Sequence, residues 1–319
     1  MGDNADATAW PVAAEVVRGG FVEGRHRGAV VVLRGSDALF EVGPVDLPML
    51  PRSSAKPLQA KGMLDCGLQV DDAQLALVCG SHTGEQMHVD GVRKLLAGVG
   101  LDESALDNTA SMPGDSKARR ARTVAGEGPA RITHSCSGKH AGMLATCVAA
   151  GWPTAGYRDP AHPLQVRLRE VVSELTGDPV TATLVDGCGA PLFAVTLRGL
   201  ARGFAAVATA EGGTNAGRCA AAMRAHPELV AGTGHVTTTL MQGAPGLVAK
   251  DGAEGVYAVA FADGTAAAVK IDDGASRAQL PVLVEALRRC GITDPAFDAA
   301  GKVDVLGHGE PVGEVRAAF

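Results

Sequence analysis

The chain has 319 residues, of which 46% are hydrophobic and only 3% aromatic, so it can bury a substantial core that Ala, Val and Leu must fill. The formal net charge of −6 argues against a general nucleic-acid binder, which needs clustered positive charge. No apolar run reaches the length of a membrane-spanning helix, and the first residues lack the basic-then-apolar order of a signal peptide, so no membrane contact is expected.

Cysteine usage points to a reducing compartment. The seven cysteines are an odd number and are scattered along the chain, which predicts reduced thiols rather than a disulfide framework. We therefore expect a cytoplasmic protein. One basic cluster, Lys117–Arg122, is interpreted as a solvated loop rather than as a nucleic-acid contact.

The pattern of the first half changes from strand to helix. Residues 1–10 are predicted to be a flexible tail, and residues 11–319 a single catalytic domain. Ala13–Gly43 is predicted to form strands, because Ala29–Leu33 is rich in β-branched residues and glycines punctuate the segment. After Pro51, helical periodicity predicts helices at Ser54–Cys66, Gln86–Val99, Lys139–Ala149, Pro163–Leu175, Pro191–Ala201 and Thr214–Ala225.

The end of the chain returns to β structure. Gly255–Ala262 and Thr265–Ile271 are short apolar runs joined by Asp263-Gly264, a strong hairpin signal. A helix at Gln279–Cys290 and a last strand near Val303–Leu306 follow. Strands at both ends with helices between them predict an α+β fold, in which the N- and C-terminal strands form one antiparallel sheet.

The first candidate for chemistry is Ser53 with Lys56. Residues three apart share a face of a helix, so the two side chains can touch. A serine hydroxyl becomes a nucleophile when a neighbouring base takes its proton, and a desolvated, neutral lysine can be that base. The alternative is a helix-capping serine beside a surface lysine.

Two further segments add a second serine and a second lysine. The turn Cys79–Glu85 offers the Ser81 hydroxyl and the His82 imidazole to a ligand, or else it only caps the following helix. Lys250-Asp251-Gly252 precedes the hairpin. Along the chain, a serine–x–x–lysine pair comes first, a second serine follows, and this lysine–x–glycine triplet comes last. Some serine enzymes have the same three motifs in the same order, although an ordinary turn is the alternative.

The turns His134–His140 and Asp186–Pro191 each lead towards a predicted helix and each contain a cysteine. Helix N-termini lower the pKa of a cysteine, so Cys136 and Cys188 are candidate thiolates. With the nearby Lys139, His134 and His140 they form a candidate metal site, although the spacing matches no standard zinc finger and buried, inert thiols are the alternative. Further along, Arg224 is a candidate clamp for a substrate carboxylate, or a structural ion-pair partner.

Together these segments resemble the asparaginase II family, the rhizobial-type, thermolabile L-asparaginases, whose fold is similar to that of serine β-lactamases and glutaminases. The resemblance extends from about Val12 to the C-terminus. It rests on several motifs in the same order: Arg52–Pro57, Gly80–Glu85, His134–His140, Asp186–Gly189, Met223–Gly234 and Lys250–Val256.

The resemblance implies hydrolysis of L-asparagine to L-aspartate and ammonia by a homodimer. It implies two serine–lysine pairs, Ser53 with Lys56 and Ser81 with Lys250, with Lys270 as the rival for the second lysine. Ser53 is the predicted acylated residue, and Ser81 is the alternative. It also implies a zinc site made by Cys136, Lys139 and Cys188. The substrate-binding residues are then predicted to be Arg52, His82, Glu85, Asp186 and Arg224.

Two alternatives stay open. The same fold could serve a glutaminase or a serine hydrolase that handles β-lactams. From a different class, the chain could be a catalytically silent module that binds zinc or an amino acid, although a binding module has no need of two serine–lysine pairs.

Overall fold

A computed structural model describes residues 10–319. The tail predicted for residues 1–10 therefore lies, apart from Trp10, outside the described residues. In the described residues, strands near both ends of the chain form an antiparallel sheet, and the middle segment is mostly helical. Its strands are β1 (Val12–Arg18), β2 (Phe21–Arg34), β3 (Asp37–Val42), β4 (Pro48–Met49), β5 (Thr183–Val185), β6 (Pro191–Phe193), β7 (Val195–Thr196), β8 (Val248–Gly252), β9 (Val256–Ala260), β10 (Thr265–Ile271), β11 (Val303–Gly307) and β12 (Glu310–Ala317).

The two ends of the chain share one eight-stranded antiparallel sheet, which confirms the predicted α+β class. Its order is β11–β12–β1–β2–β10–β9–β8, and β3 pairs with the free part of β2. The hairpin predicted at Asp263-Gly264 joins β9 to β10. Strand β12 was not foreseen from the sequence; it pairs with both β1 and β11.

The helices are α1 (Lys56–Asp65), α2 (Asp72–Cys79), α3 (Gln86–Ala97), α4 (Ser116–Val124), α5 (Ser137–Ala150), α6 (Pro163–Thr176), α7 (Leu197–Thr209), α8 (Asn215–Ala225), α9 (Pro227–Val230), α10 (Val236–Gly243), α11 (Gln279–Arg289) and α12 (Pro295–Ala300). Helices α7 and α11 both pack against β2 and β10. This covers both faces of the sheet centre, so Ala29–Leu33 is buried at every position. No helix of residues 10–319 is long and apolar enough to cross a membrane.

Most helix predictions agree with the structure to within two residues, but Pro191–Ala201 was wrong. Pro191–Phe193 and Val195–Thr196 are strands, and α7 begins only after Thr196, whose Oγ1 accepts a hydrogen bond from the Gly199 amide at 2.8 Å. A short apolar run behind a proline fits either state until its pairing partner is known. The basic cluster Lys117–Arg122 is part of an exposed helix, α4, rather than a loop.

The central helix of the middle segment is α5, which is buried continuously from Ser137 to Cys147. It packs against α1, α2 and α3. The start of α1, the end of α2 and the start of α5 therefore approach one another. Strand β8 at the sheet edge lies against the turn that precedes α1. The predicted catalytic segments meet at this junction between the sheet and the helices.

Candidate active site

Ser53 lies in a single 3₁₀ turn, Arg52–Ala55, directly before α1. The backbone of Arg52 has φ +52°, in the left-handed region that residues other than glycine rarely occupy. Strand β8 presses on this turn through Gly252, because a Cβ there would lie 2.7 Å from the Pro51 carbonyl oxygen. The capping alternative does not hold: Pro51 and Ala55 occupy the capping positions, and Ser53 is half-buried between them.

The side chain of Lys56 is almost completely buried and points to Ser81. Its Nζ donates to Ser81 Oγ at 2.8 Å, to the Gly80 carbonyl at 2.6 Å and, more weakly, to the Ser135 carbonyl at 3.5 Å. Within residues 10–319, its hydrogen bonds do not include one to Ser53. The direct partner of Lys56 is therefore the second serine, rather than the serine three residues before it.

The environment of Lys56 lowers the pKa of its amine. Burial lowers the pKa of Lys56, and the positive charges of Lys250 and Lys139 lower it further, although the Cys136 thiolate opposes them. The hydrogen bonds of Lys56 to two carbonyl oxygens and one hydroxyl supply no negative charge of their own. A lysine whose pKa is lowered can accept a proton at a lower pH than a free lysine.

Lys250 is fully buried in β8 and bonds to the residue that follows it. Its Nζ donates to Asp251 Oδ1 and to the Asp251 carbonyl, both at 2.7 Å. The predicted pairing with Ser81 is not among the hydrogen bonds of the described residues. Lys250 nevertheless lies close enough for its charge to lower the pKa of Lys56. It therefore belongs to the same group of side chains.

The rival lysine has a different place. Lys270, on β10, donates to the carbonyls of Glu254 at 2.7 Å, of Asp272 at 3.5 Å and of Ile271. Glu254 lies in the turn between β8 and β9, where its φ is +60°. The contacts of Lys270 thus tie this turn to the end of β10 and involve no serine.

His82 is not available to a substrate, contrary to prediction. Its ring is buried; Nδ1 accepts a hydrogen bond from the Gly84 amide at 3.1 Å, so Nε2 carries the proton and donates to Ser137 Oγ at 2.9 Å. Both ring nitrogens are thereby used. Burial, reinforced by neighbouring positive charge from His88 and Lys56, lowers the pKa of His82 well below its usual value. His82 holds the loop after α2 against the start of α5.

Glu85 anchors a neighbouring turn. Its Oε1 accepts from Thr83 Oγ1 at 2.8 Å and from the Thr233 amide at 2.9 Å. Burial raises the pKa of Glu85, but these hydrogen bonds outweigh it and the net shift is downward. Glu85 and Thr233 line a cavity of about 850 Å³ between α3 and α4. The prediction that Glu85 contacts substrate is untested by these contacts.

Arg52 and Asp186 join the Ser53 turn to the loop that carries Cys188. Arg52 Nε donates to Asp186 Oδ1 at 2.7 Å, and Nη1 lies 3.7 Å from the Glu254 carboxylate. Burial raises the pKa of Asp186, but the Lys139 charge and the Arg52 hydrogen bond outweigh it, so the carboxylate stays ionised. A positive and a negative group therefore stand side by side next to Ser53.

Arg224 lies elsewhere and bonds to backbone carbonyls; among residues 10–319 it forms no salt bridge, so the predicted alternative of a structural ion-pair partner is not borne out. Its Nε donates to the Gly246 carbonyl at 3.0 Å and its Nη2 to the Ala208 carbonyl at 2.9 Å. Gly246 precedes β8, whereas Gly252, beside the Ser53 turn, ends it; a five-residue strand spans roughly 13 Å. Arg224 therefore binds the Gly246 carbonyl before the start of the strand and the Ala208 carbonyl of α7, and its role as a substrate clamp stays a prediction.

The structure brings together the three predicted metal ligands. Lys139 Nζ donates to Cys188 Sγ at 3.4 Å, and the Cys188 thiol lies 3.6 Å from Asp186 Oδ2. The interaction with the neighbouring Cys188 thiol is the main cause that lowers the pKa of Cys136 well below its usual value, and the interaction with Cys136 raises the pKa of Cys188. Burial lowers the pKa of Lys139, but the two sulfurs and Asp186 outweigh it and raise the net value.

Across residues 10–319 there is no cluster of three or more His, Cys, Asp and Glu side chains arranged to hold a metal. A metal at Cys136 and Cys188 would therefore need the Lys139 amine as its third protein ligand. We refer to Cys136, Lys139 and Cys188 as the thiol centre.

Two contributors to the site were missed by the sequence analysis. The Asp251 carboxylate accepts a hydrogen bond from Lys250 Nζ, and the Ser135 carbonyl accepts one from Lys56 Nζ. Burial raises the pKa of Asp251, but the Lys250 charge and hydrogen bond outweigh it and lower the net value. Their only signal in the sequence was adjacency, because each lies inside or beside a motif already singled out.

Comparison with known proteins adds the following. A search of curated protein sequences finds no significant match. Among solved structures, similarity is found to a provisional β-lactamase from Bacteroides dorei DSM 17855, with 14% identity, coverage of 82% of this chain and 92% of the other, and a TM-score of 0.47. A β-lactamase from Mycobacterium bovis is similar with 18% identity, coverage of 92% and 95%, and a TM-score of 0.45.

The family comparison covers nearly the whole molecule. The model of a family described as L-asparaginase II matches residues 14–317. This match includes the Ser53 turn, the Lys56–Ser81 hydrogen bond, strand β8 and the thiol centre. The chain therefore belongs to the L-asparaginase II family of amidohydrolases.

Proposed function

We propose that this protein hydrolyses the side-chain amide of L-asparagine to L-aspartate and ammonia through a serine acyl-enzyme. The observation that carries the proposal is the hydrogen bond of 2.8 Å between the buried Lys56 amine and Ser81 Oγ, directly beside the Ser53 turn. Family membership supports an amidohydrolase reaction. A buried lysine of lowered pKa beside two serines supplies the base that such a reaction needs.

In the proposed mechanism, Ser53 Oγ attacks the carbonyl carbon of the side-chain amide. The neutral Lys56 amine takes the hydroxyl proton and passes it through Ser81 to the leaving nitrogen, so the C–N bond breaks and ammonia departs. Water then attacks the β-aspartyl ester, and its proton returns by the same route as the ester bond breaks and Ser53 is restored. The Lys56–Ser81 hydrogen bond supports this proton path.

The charges around the turn suit an amino-acid substrate. Arg52 and Asp186 offer a positive and a negative group to the α-carboxylate and the α-ammonium. The positive charge of Lys250 favours the neutral form of Lys56. Backbone amides at the start of the 3₁₀ turn would stabilise the oxyanion.

We further propose that the thiol centre binds zinc. Its donors fit that metal: one thiol already favours the thiolate, the second lies against it, and the Lys139 amine is 3.4 Å from Cys188 Sγ. Because Lys139 favours its charged form, zinc binding would release a proton from it. When bound, zinc would supply a fixed positive charge near Asp186 that orients the substrate.

Ammonia release from L-asparagine by Ser53→Ala and by Ser54→Ala is the central test. Ser54 is the matched control, because its hydroxyl already donates a hydrogen bond to the Pro51 carbonyl at 2.6 Å. We expect Ser53→Ala to abolish turnover while circular dichroism stays unchanged, and Ser54→Ala to retain activity within a few-fold. Near-normal turnover by Ser53→Ala would contradict the assignment of the nucleophile.

Substrate choice is tested on the wild type with L-asparagine, L-glutamine and a chromogenic β-lactam, each with a chelator and with added zinc. We expect the highest kcat/KM with L-asparagine. Thermal stabilisation by L-asparagine without ammonia would instead identify a silent binding module. Light scattering of the purified protein tests the homodimer that family resemblance predicts.

A further inference from the structure

Two consecutive residues, Tyr157 and Arg158, bond to the two segments that carry the thiol centre. One segment is the start of α5, with Cys136 and Lys139; the other is the loop between β5 and β6 that carries Cys188. Both residues also bind Asp107. We call Asp107, Tyr157 and Arg158 the rear clamp. None of the three belongs to the motifs from which the catalytic site was predicted.

The first arm of the rear clamp reaches α5. Tyr157 is buried, and its hydroxyl accepts a hydrogen bond from the Asp107 amide at 3.0 Å. The same hydroxyl lies 2.8 Å from His140 Nδ1. Since the amide can only donate, the arrangement that satisfies every group has the hydroxyl proton on the bond to Nδ1. His140 follows Lys139, and its amide bonds to the Cys136 carbonyl, so it stands one helical turn from Cys136.

The second arm reaches the Cys188 loop. Arg158 donates to Asp107 Oδ2 through Nε at 2.7 Å and also through Nη2, while its Nη1 donates to the Gly189 carbonyl at 3.0 Å. Gly189 follows Cys188 and has φ +88°; a Cβ there would lie 2.5 Å from Arg158 Nη1. The guanidinium therefore packs so closely on this loop that only glycine fits at position 189. Thr109 adds a hydrogen bond to the Gly187 carbonyl at 2.8 Å.

Burial of the His140 imidazole costs stability, because one of its ring nitrogens has no hydrogen-bond partner among the described residues. The side chain is fully buried in the central helix, and within the described residues its Nε2 has no hydrogen-bond partner. An apolar side chain of similar size would fill the same space without burying an unpaired donor. What the imidazole adds is an acceptor for the Tyr157 hydroxyl. The hydrogen bond between them is thus the specific feature of this position.

We propose that Tyr157 is a positioning residue that fixes the separation of Cys136 and Cys188, by tying α5 through His140 and the Cys188 loop through Asp107 and Arg158. The inference rests on the proposed role of the thiol centre. Groups that orient metal ligands from outside commonly change metal affinity 10–100-fold when they are lost. A rigid separation favours metal binding because the ligands need not be ordered when the ion arrives.

The test is Tyr157→Phe, which removes one hydroxyl oxygen and keeps the ring. The chain has two tyrosines, and Tyr257→Phe is the matched control, because Tyr257 is equally buried and its hydroxyl also makes one side-chain hydrogen bond, to Thr237 Oγ1 at 2.8 Å. The probe is Co²⁺ alone, followed by thiolate-to-cobalt absorption, and then Zn²⁺ in competition. We expect Tyr157→Phe to bind about 10–100-fold more weakly and Tyr257→Phe to match the wild type.

A metal-free measurement separates this inference from the zinc proposal. Iodoacetamide labelling at one fixed pH, with mass analysis of the Cys136 and Cys188 peptides, should be several-fold faster in Tyr157→Phe than in the wild type or Tyr257→Phe. If wild type gives no cobalt–thiolate absorption, the zinc proposal fails, and the labelling still decides the clamp.

Arg158→Gln covers the case in which Tyr157→Phe does not fold, because Arg158 is half-exposed and its loss leaves the core intact. It should weaken Co²⁺ binding and speed labelling in the same direction. Cobalt affinity and labelling rates within twofold of Tyr257→Phe, in whichever of the two clamp variants folds, would overturn the inference.

Discussion

Lys56 Nζ donates to Ser81 Oγ at 2.8 Å across 25 positions of the chain, while Ser53 lies only three positions before Lys56. The buried amine therefore bonds to the serine on the loop after α2, although the serine in the 3₁₀ turn before α1 is much closer to it in sequence. The spacing along a helix indicates which side chains can meet, but here the long lysine side chain crosses to a neighbouring loop. In the proposed mechanism, this hydrogen bond makes Ser81 the group that relays the proton from Lys56.

Loss of the Ser81 hydroxyl should interrupt the proton path without removing the nucleophile. We expect Ser81→Ala to lower kcat/KM by about 10²–10⁴-fold, the usual contribution of general acid–base catalysis, with little change in melting temperature. Wild-type enzyme stopped with acid during turnover should carry a β-aspartyl adduct on the peptide that contains Ser53. An adduct on the Ser81 peptide would exchange the roles of the two serines.

The lowered pKa of Lys56 predicts the direction of the pH profile. The base must be neutral, so kcat/KM should rise with pH and reach its plateau at a lower pH than 10.5, the usual pKa of lysine, would give. Lys56→Arg keeps the positive charge and the reach but cannot lose its proton, and it should be inactive at every pH. A wild-type profile that still rises steeply at pH 10, or an active Lys56→Arg, would exclude Lys56 as the base.

Local signals were read correctly where the structure depends on local chemistry. Asp263-Gly264 predicted a hairpin because these residues favour tight turns, and Gly264, with φ +86°, lies in the short loop that joins β9 to β10. Pro191–Ala201 failed because its state depends on a remote partner: Pro191–Phe193 pairs with Thr183–Val185 around the Cys188 loop. The sequence of a short apolar run does not indicate which strand it will pair with.

The site divides in the same way. Motif order located Ser53, Lys56, Ser81, Lys250 and the thiol centre in one region, since each motif lies at the end of an element. It did not predict that Lys56 bonds to Ser81, that both ring nitrogens of His82 are used, or that Arg224 binds backbone carbonyls far from Ser53. Those outcomes follow from tertiary contacts between elements that are distant in sequence.

Close packing of β8 on the Ser53 turn makes Gly252 sensitive to a single methyl group. A Cβ would lie 2.7 Å from the Pro51 carbonyl oxygen and 3.2 Å from the Ser54 amide nitrogen, so the turn must move. We expect Gly252→Ala to cost about 1–3 kcal/mol of unfolding free energy and to lower kcat about 10²-fold. Gly24→Ala, also in a strand but with its nearest contact at 3.9 Å, is the control for chemical denaturation and turnover. Equal behaviour of the two variants would contradict this account.

The unusual backbone of Arg52 separates its structural and functional effects. A left-handed conformation costs a residue other than glycine roughly 1–2 kcal/mol, so Arg52→Gly relieves strain while it removes the pair with Asp186. The two effects oppose each other, but the loss of a partner for the buried Asp186 is the larger, and we expect the free energy of unfolding to fall by about 1–4 kcal/mol. The KM for L-asparagine should also rise at least about tenfold if Arg52 binds the α-carboxylate. An unchanged KM would assign Arg52 to structure alone.

Buried neutral histidines should make the protein lose stability as the pH falls. Burial lowers the pKa of both His82 and His88, so below about pH 6.5 the unfolded chain binds protons that the folded protein does not. Each histidine then removes up to about 1.4 kcal/mol per pH unit, until the pH reaches its folded pKa. Glutamine at position 88 can still accept the Glu85 amide, as it does at the third position of many helices, but it does not titrate. We therefore expect His88→Gln to melt higher than the wild type at pH 5.5, relative to their difference at pH 8. A constant difference between His88→Gln and the wild type at both pH values would contradict the linkage.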